Sequence, residues 1–498
     1  MIPILRARTL DFEAGGTMVA TINKNFAEDY DIHSLDRIRV TLGAQSMIVL
    51  VNVTEFQVSY DQIGFFREVW DELSIRNNEE VSIEPIAKPL ALDAIKKKLD
   101  GEELVKEEIF DIIKNAVDNT LSSVELATFV SAIYTRGMTV GEIANLTKAM
   151  VSFGDKLSFG KKIVVDKHSV GGVAGNRTTP LVVSIVAAGG LTIPKLSSRA
   201  ISSPAGTADT MEVFAPVSLP SHELKKIVKK VGACIAWGGA LKIASADDEL
   251  IRIRHPMKLD PEALLLSSIM AKKKAAGSNV VLIDIPFGEG SKVQYSGLAK
   301  HLARQFELLG KALNMHVSVI ITDGSQPIGN GIGPALEAID VLKVLMGNDG
   351  PTDLRDKSVR LAGRILEMGG KAPKGKGEVL AKQLLDSKKA YKKFKEIIKA
   401  QGGNPEIKPK DIRVGEFSIA VKAARAGTVS SISSKALSSV CRAAGAPRDR
   451  EAGAYLHKHV EDRVKKGETI LTIYAGVEHK LERAITTYKM LPETIVIS

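Results

Sequence analysis

The sequence predicts an α/β protein: a mostly parallel sheet domain plus a small helical lobe, with a β-rich N-terminal domain and an α+β C-terminal unit. Three observations carry this. Beyond residue 160, short apolar runs alternate with helical pattern across Gly-rich turns, which is how strands of a covered parallel sheet read. Between Leu90 and about Ser152, apolar residues recur at helical spacing. Before Pro85, short β-branched runs are separated by turn residues.

In chain order, Met18 to Ile22, Arg37 to Val40 and Met47 to Val53 read as strands of a compact β domain, residues 1–86, closed by Pro85 and Pro89. Leu92, Ile95 and Leu99, then Ile109, Ile112, Ile113 and Val117, then Ile143 and Leu146 mark successive helices. Asp260 to Gly277 is again helical, so the expected helical lobe is discontinuous, residues 87–158 and 246–277. The α/β domain is expected over 159–245 and 278–404, with strands at Ile163-Val164-Val165, Leu191 to Leu196, Val280 to Ile283 and Val317 to Ile321, and a helix from Thr178 to Ala188. Gly402-Gly403-Asn404-Pro405 marks the last boundary, and residues 405–498 read as strands with one helix. Within them, Val460 to Leu471 looks like the strand pair of a biotinyl/lipoyl-type hammerhead without its lysine-bearing hairpin, a structural feature.

The 498 residues are 44% hydrophobic and 25% charged, enough for several domains and a sizeable core. The net charge of +10 is spread along the chain, and aromatics are only 5%, which argues against a nucleic-acid-binding or scaffold protein. Cys234 and Cys441 lack metal-ligand spacing and suit a reducing compartment, so a cytoplasmic location is expected. The N-terminus lacks signal-peptide shape, and no apolar run reaches the ~18 residues of a membrane span.

Two loops carry the chemistry. Asp166 to Asn176 follows a strand and precedes a helix. Its glycines let backbone amides approach an anion, Lys167 adds a point charge, and Ser169 and Thr178 add hydroxyls. It lacks the terminal Gly-Lys-Ser/Thr of a Walker loop, and a plain strand-to-helix turn is the competing reading. Ser197 to Asp209 follows the next strand with hydroxyls, Arg199 and Gly206-Thr207 ahead of a helix near Thr210; Asp209 and Glu212 have capping-box spacing. Loops after successive strands of one sheet argue for a single shared site at its carboxyl edge.

Lys167-His168-Ser169 with its glycines, and the long run from Ser197-Ser198-Arg199-Ala200-Ile201 through Gly206-Thr207-Ala208-Asp209-Thr210-Met211-Glu212, resemble the thymidine/pyrimidine nucleoside phosphorylase family from about Leu92 onward. Ser268 to Lys273, with Ala275-Ala276-Gly277, matches that family's base-binding helix. The resemblance implies a nucleoside phosphorylase class II-like fold and a pentosyltransferase without cofactor or metal, built as a dimer or larger homo-oligomer whose two lobes close over substrate. It implies that Lys167, Ser169, Thr178, Ser197 and Thr207 hold the attacking phosphate, and that Arg254, Ser268 and Lys272 face the base.

The chain departs from thymidine phosphorylases in its N-terminal domain, at Ile251 and Ser203, where they carry tyrosine and histidine, and in the turn Pro286 to Lys292. These features resemble the branch that phosphorolyses AMP and other nucleoside 5′-monophosphates to free base and ribose 1,5-bisphosphate, with CMP and UMP as further expected substrates. That branch implies nucleotide contacts at Gly172, Ser198, Arg199, Ala200, Ile201, Ser202, Ser203, Thr207, Ser268 and Lys292, and a proton donor at Asp260. By its own context Asp260-Pro261-Glu262 reads as a helix cap. His168 ranks second as an acid or base. Which loop holds the attacking phosphate and which the 5′-phosphate stays open. So do a nucleoside-specific pyrimidine phosphorylase and a phosphoribosyltransferase, the latter against the lack of an Asp-rich loop.

Overall fold

The computed structural model describes residues 3–200, 203–241, 243 and 245–498. The chain divides into two compact units, one from Met1–Gly154 and Ala244–Ala271, the other from Asp155–Ile243 and Lys272–Ser498.

The first unit begins with a closed barrel of strands Ile4–Thr9, Val19–Asn23, Arg37–Leu42, Gln45–Thr54, Gln62–Phe65 and Glu80–Ile86. Alternation sends Ile22, Ile38, Val40, Val49, Val51, Ile63 and Ile83 into its interior, which these side chains fill. Helices Ala91–Leu99, Lys106–Val117, Ser123–Arg136 and Val140–Ser152 follow. Ser122 with Glu125 and Thr139 with Glu142 form capping boxes at two of their starts. Glu142 is buried and satisfied by Lys98 Nζ at 2.8 Å and the Leu104 amide at 3.0 Å. Helix Ser245–Arg254, distant in sequence, packs on Ser123–Arg136 and Lys106–Val117.

The second unit holds five parallel strands: β1 (Val165–Ser169), β2 (Ile193–Ser197), β3 (Ala233–Trp237), β4 (Val280–Phe287) and β5 (His316–Asp323). They pair in the order β5-β4-β1 and β2-β3, and a parallel bridge between Val164 and Thr192 joins the two groups. Helix α1 (Thr178–Ala188) is buried from Thr178 through Ala187, as expected of a helix apolar on all sides. Together with α2 (Thr352–Met368) it covers one part of the core made by Val165, Ile193, Ile235 and Leu282. The C-terminal sheets are built from Gly331–Ile332, Gly453–Leu456, Thr469–Ala475 and Phe417–Lys422, and from Arg463–Val464, Gly427–Ile432 and Ile495–Ile497. Among the described residues no helix is long and apolar enough to cross a membrane.

Three elements differ from expectation. The first sheet strand starts at Val165, where the apolar run ends, so Lys167 and Ser169 stand on a strand rather than in a loop. Strand β3 was not anticipated; its small residues follow a lysine-rich helix. The C-terminal region carries two helices, Ser434–Ala444 and Glu478–Met490, not one. In the former, Ser and Ala dilute the apolar period, yet Ala436, Leu437, Val440, Cys441 and Ala444 still make one buried face.

Candidate active site

On β1, strand alternation places Lys167 and Ser169 on one face and Asp166 and His168 on the other. Lys167 is 2% exposed, and its Nζ donates to Thr178 Oγ1 at 2.8 Å, at the first turn of α1. Burial pushes the Lys167 ammonium down to about 8. Ser169 Oγ donates to Asp284 Oδ2 at 2.9 Å on the neighbouring strand β4. On the opposite face, Asp166 is fully buried and meets Lys273 Nζ at 2.7 Å and Lys195 Nζ at 3.5 Å. Burial, only partly opposed by Asp166, holds the Lys195 ammonium well below the ordinary lysine range. Burial first, then Lys273 and Lys195, hold His168 well below the ordinary histidine range. That shift favours the neutral imidazole over the cation.

Beyond Ser169 the chain turns through Gly171 and Gly172, both at φ +95°, a left-handed conformation that suits glycine. A Cβ on Gly172 would run into the backbone nitrogen of Lys292, so the turn after β4 and the turn after β1 lie against one another. Lys292 itself is exposed.

The second loop is organised by carboxylates. Asp209 Oδ2 accepts from the amides of Ala200 and Gly206, each at 2.8 Å. The helix starts at Thr207, three residues earlier than expected, so Asp209 reaches back as its third residue and the expected Asp209–Glu212 box does not form. Arg199 donates to both oxygens of Glu212, at 2.6 and 3.0 Å, and to Asp209 at 3.2 Å, while its guanidinium lies over Trp237. Its guanidinium thus holds the loop together from within, with its side chain still 34% exposed. Ser197 is half-buried, and Ser198 and Ser203 are exposed. Ile201 and Ser202 lie outside the described residues.

Arg177 ties the two loops together, and sequence reasoning passed over it. Its guanidinium donates to Thr207 Oγ1 at 2.8 Å, Ala205 O at 2.9 Å and the buried Glu337 at 2.6 Å. Thr210 Oγ1 donates to the same Glu337 at 3.0 Å. Arg177 and Thr178 are adjacent, so Lys167, bonded to Thr178, and Thr207, bonded to Arg177, are held to neighbouring residues of one turn. The signal available in sequence was an arginine directly ahead of Thr178.

Helix Glu262–Ala275 bears Ser268 and Lys272 of the expected base-facing residues, and Arg254 ends helix Ser245–Arg254. Ser268 Oγ donates to the buried Asp247 at 2.7 Å. Lys273 is the partner of Asp166, and Lys272 is half-buried, near enough to His168 for its charge to be felt there. Arg254 donates to Asp260. The hydrogen bond from Leu265 N to Pro261 O puts the cap position at Pro261, so the helix begins at Glu262, one residue later than a cap at Asp260 would start it. Among the described residues no group of three or more His, Cys, Asp or Glu side chains gathers as metal ligands would.

Family models match in three places: the glycosyl transferase family helical bundle domain over residues 92–154, its a/b domain over 161–391, and the pyrimidine nucleoside phosphorylase C-terminal domain over 428–494. An AMP phosphorylase from Pyrococcus furiosus is 46% identical over 486 residues, 98% of this chain and 96% of that protein. One from Thermococcus kodakarensis is 46% identical over 96% of this chain and 95% of its own length, and AMP phosphorylase 1 from Archaeoglobus fulgidus is 42% identical over 97% and 95%. Anthranilate phosphoribosyltransferase from Thermus thermophilus shares the fold, with TM-score 0.53 at 21% identity over 62% of this chain and 99% of its own. At such identity over nearly its full length, the chain belongs to the AMP phosphorylase family.

Proposed function

We propose that this pentosyltransferase cleaves AMP with inorganic phosphate, giving adenine and ribose 1,5-bisphosphate. The convergence of Lys167, Thr178, Arg177 and Thr207 is the observation that supports it most: two loops from adjacent strands brought to one cationic, hydroxyl-lined turn. A phosphate oxygen attacks C1′ as the C1′–N9 bond breaks. The sugar becomes oxocarbenium-like, and the bond's electron pair leaves with the base.

Lys167, Ser169, Thr178, Ser197 and Thr207 hold the attacking phosphate, where a fixed dianion stabilises the developing positive charge. The exposed Lys292, with Gly172 and the 198–203 segment, takes the 5′-phosphate; Arg199 serves by shaping that segment. Arg254, Ser268 and Lys272 take the base. Asp260 donates the proton that neutralises the leaving purine, a contribution of ~10² to 10⁴ in rate for general acids. CMP and UMP are further substrates in this proposal, and so are assembly into a homo-oligomer and a cytoplasmic location.

The test is a phosphorolysis assay across AMP, CMP, UMP, adenosine and thymidine, following free base and sugar phosphate. AMP turns over fastest, and Lys292→Ala lowers kcat/KM for AMP while leaving the slow adenosine reaction unchanged. Thymidine turnover exceeding that of AMP would establish a nucleoside-specific enzyme instead.

A further inference from the structure

A serine hydroxyl has one proton to donate. In the role proposed above Ser169 gives it to the attacking phosphate, yet in this structure it goes to Asp284 Oδ2 at 2.9 Å. Asp284 stands opposite Ser169 in the parallel register and has no exposed surface. Its Oδ1 accepts from Thr322 Oγ1 at 2.6 Å. When Ser169 turns toward an anion, Oδ2 loses a hydrogen-bond donor in the protein interior, a cost that opposes phosphate binding.

One cation is placed to take over that oxygen. Lys357, on α2, brings Nζ to 3.4 Å from Asp284 Oδ2 with its side chain only 10% exposed. Among the described residues this ammonium has no hydrogen-bond partner, so its approach to Asp284 is an ion pair without hydrogen-bond geometry. A buried ammonium in that condition is costly and uncommon. Its charge also reaches Lys167 in the phosphate site, where it adds to the lowering caused by burial.

We propose that Lys357 is the exchange partner of Ser169: as phosphate enters, Ser169 turns its proton from Asp284 to a phosphate oxygen, and Lys357 Nζ closes on Asp284 Oδ2 in its place. One O–H···O bond is exchanged for another, one N–H···O bond is gained, and no covalent bond changes. Lys357 touches no substrate and is a positioning residue. Its role rests on Ser169 binding phosphate.

The experiment is a double-mutant cycle. Lys357→Met keeps an unbranched side chain and removes the donor. It raises KM for phosphate about tenfold, the scale of one hydrogen bond to a charged group. KM for AMP and kcat stay within about twofold, because the interaction serves phosphate alone. In a Ser169→Ala background the same substitution adds less than about twofold, since no hydroxyl remains to be released. Additive effects, or a phosphate KM unchanged in Lys357→Met, overturn the exchange. A purely structural role moves the KM of both substrates together and likewise overturns it. If Ser169→Ala alone leaves the phosphate KM unchanged, the phosphate role of Ser169 fails first and takes the exchange with it. Should Lys357→Met not fold, a crystal structure of the unaltered chain with phosphate decides. The exchange requires Ser169 Oγ within about 3.0 Å of phosphate and Lys357 Nζ within about 3.2 Å of Asp284 Oδ2. Ser169 still bound to Asp284, with Lys357 no closer than now, overturns it.

Discussion

Replacing Lys167 with methionine should strengthen the fold while weakening phosphate binding. Burial pushes the ammonium from its ordinary 10.5 down to about 8, so folding works against its charge. That difference corresponds to about 3 kcal/mol, and loss of the hydrogen bond to Thr178 offsets about 1 kcal/mol. Lys167→Met is therefore more stable by about 2 kcal/mol at pH 7. The sign follows from proton binding. Between pH about 8 and 10.5 the unfolded chain holds the Lys167 proton and the folded chain does not, so wild-type stability rises with pH across that window. The advantage of the variant shrinks over the same range, vanishes at pH ~9.5 and becomes a deficit of about 1 kcal/mol at the upper end, where only the lost hydrogen bond to Thr178 remains. Catalysis moves the other way. With a value of about 8, about nine in ten Lys167 side chains are charged at pH 7 and about one in ten at pH 9. Wild-type kcat/KM for phosphate, which reports the free enzyme, then falls about tenfold between those pH values, and the variant lacks that limb. Urea unfolding at pH 7 and pH 10, beside phosphate kinetics, measures both. A variant less stable at pH 7, or one with an unchanged phosphate kcat/KM, refutes the reasoning.

Arg177→Met leaves the buried Glu337 carboxylate without its cation and should cost about 3–5 kcal/mol in urea unfolding; a loss under about 1 kcal/mol would mean that the link between the loops carries little. Gly172→Ala forces a side chain into a left-handed turn against the Lys292 backbone. It should cost at least about 1 kcal/mol and lower kcat/KM for AMP, and wild-type kinetics would show that this close approach is dispensable. Asp260→Asn should lower kcat by about 10² or more with AMP binding retained, and turnover within a few-fold of wild type would leave Asp260 no role as proton donor.

The helix Thr178–Ala188 was legible because an apolar run broken only by Ser184 follows a glycine turn, and few structures other than a buried helix accommodate that. Lys167, Thr178 and Thr207 were legible as polar residues next to glycines at strand and helix ends. Strand β1 was placed early because patterning expects apolar residues in a buried strand, and Asp166 and Lys167 break that rule inside one. Asp284 was hidden the same way, between Ile283 and Ile285. Arg177, Glu337 and Lys357 matter through partners more than a hundred residues distant in one case and across separate elements in all, and spacing along the chain holds no record of such pairings. The carboxylate partners of Arg199 were not legible because Asp209 and Glu212 read as helix caps.

The most direct test of phosphate as the nucleophile at C1′ uses phosphate labelled with ¹⁸O at all four oxygens, with mass analysis of the sugar product. Direct attack with C1′–N9 cleavage leaves all four labels on the 1-phosphate, bridging oxygen included, and none on the 5-phosphate. A sugar product with a hydroxyl and no phosphate at C1, or adenine released at the same rate without phosphate, would mean that water cuts the bond and that the site assembled by Lys167, Thr178 and Thr207 does not deliver the attacking group.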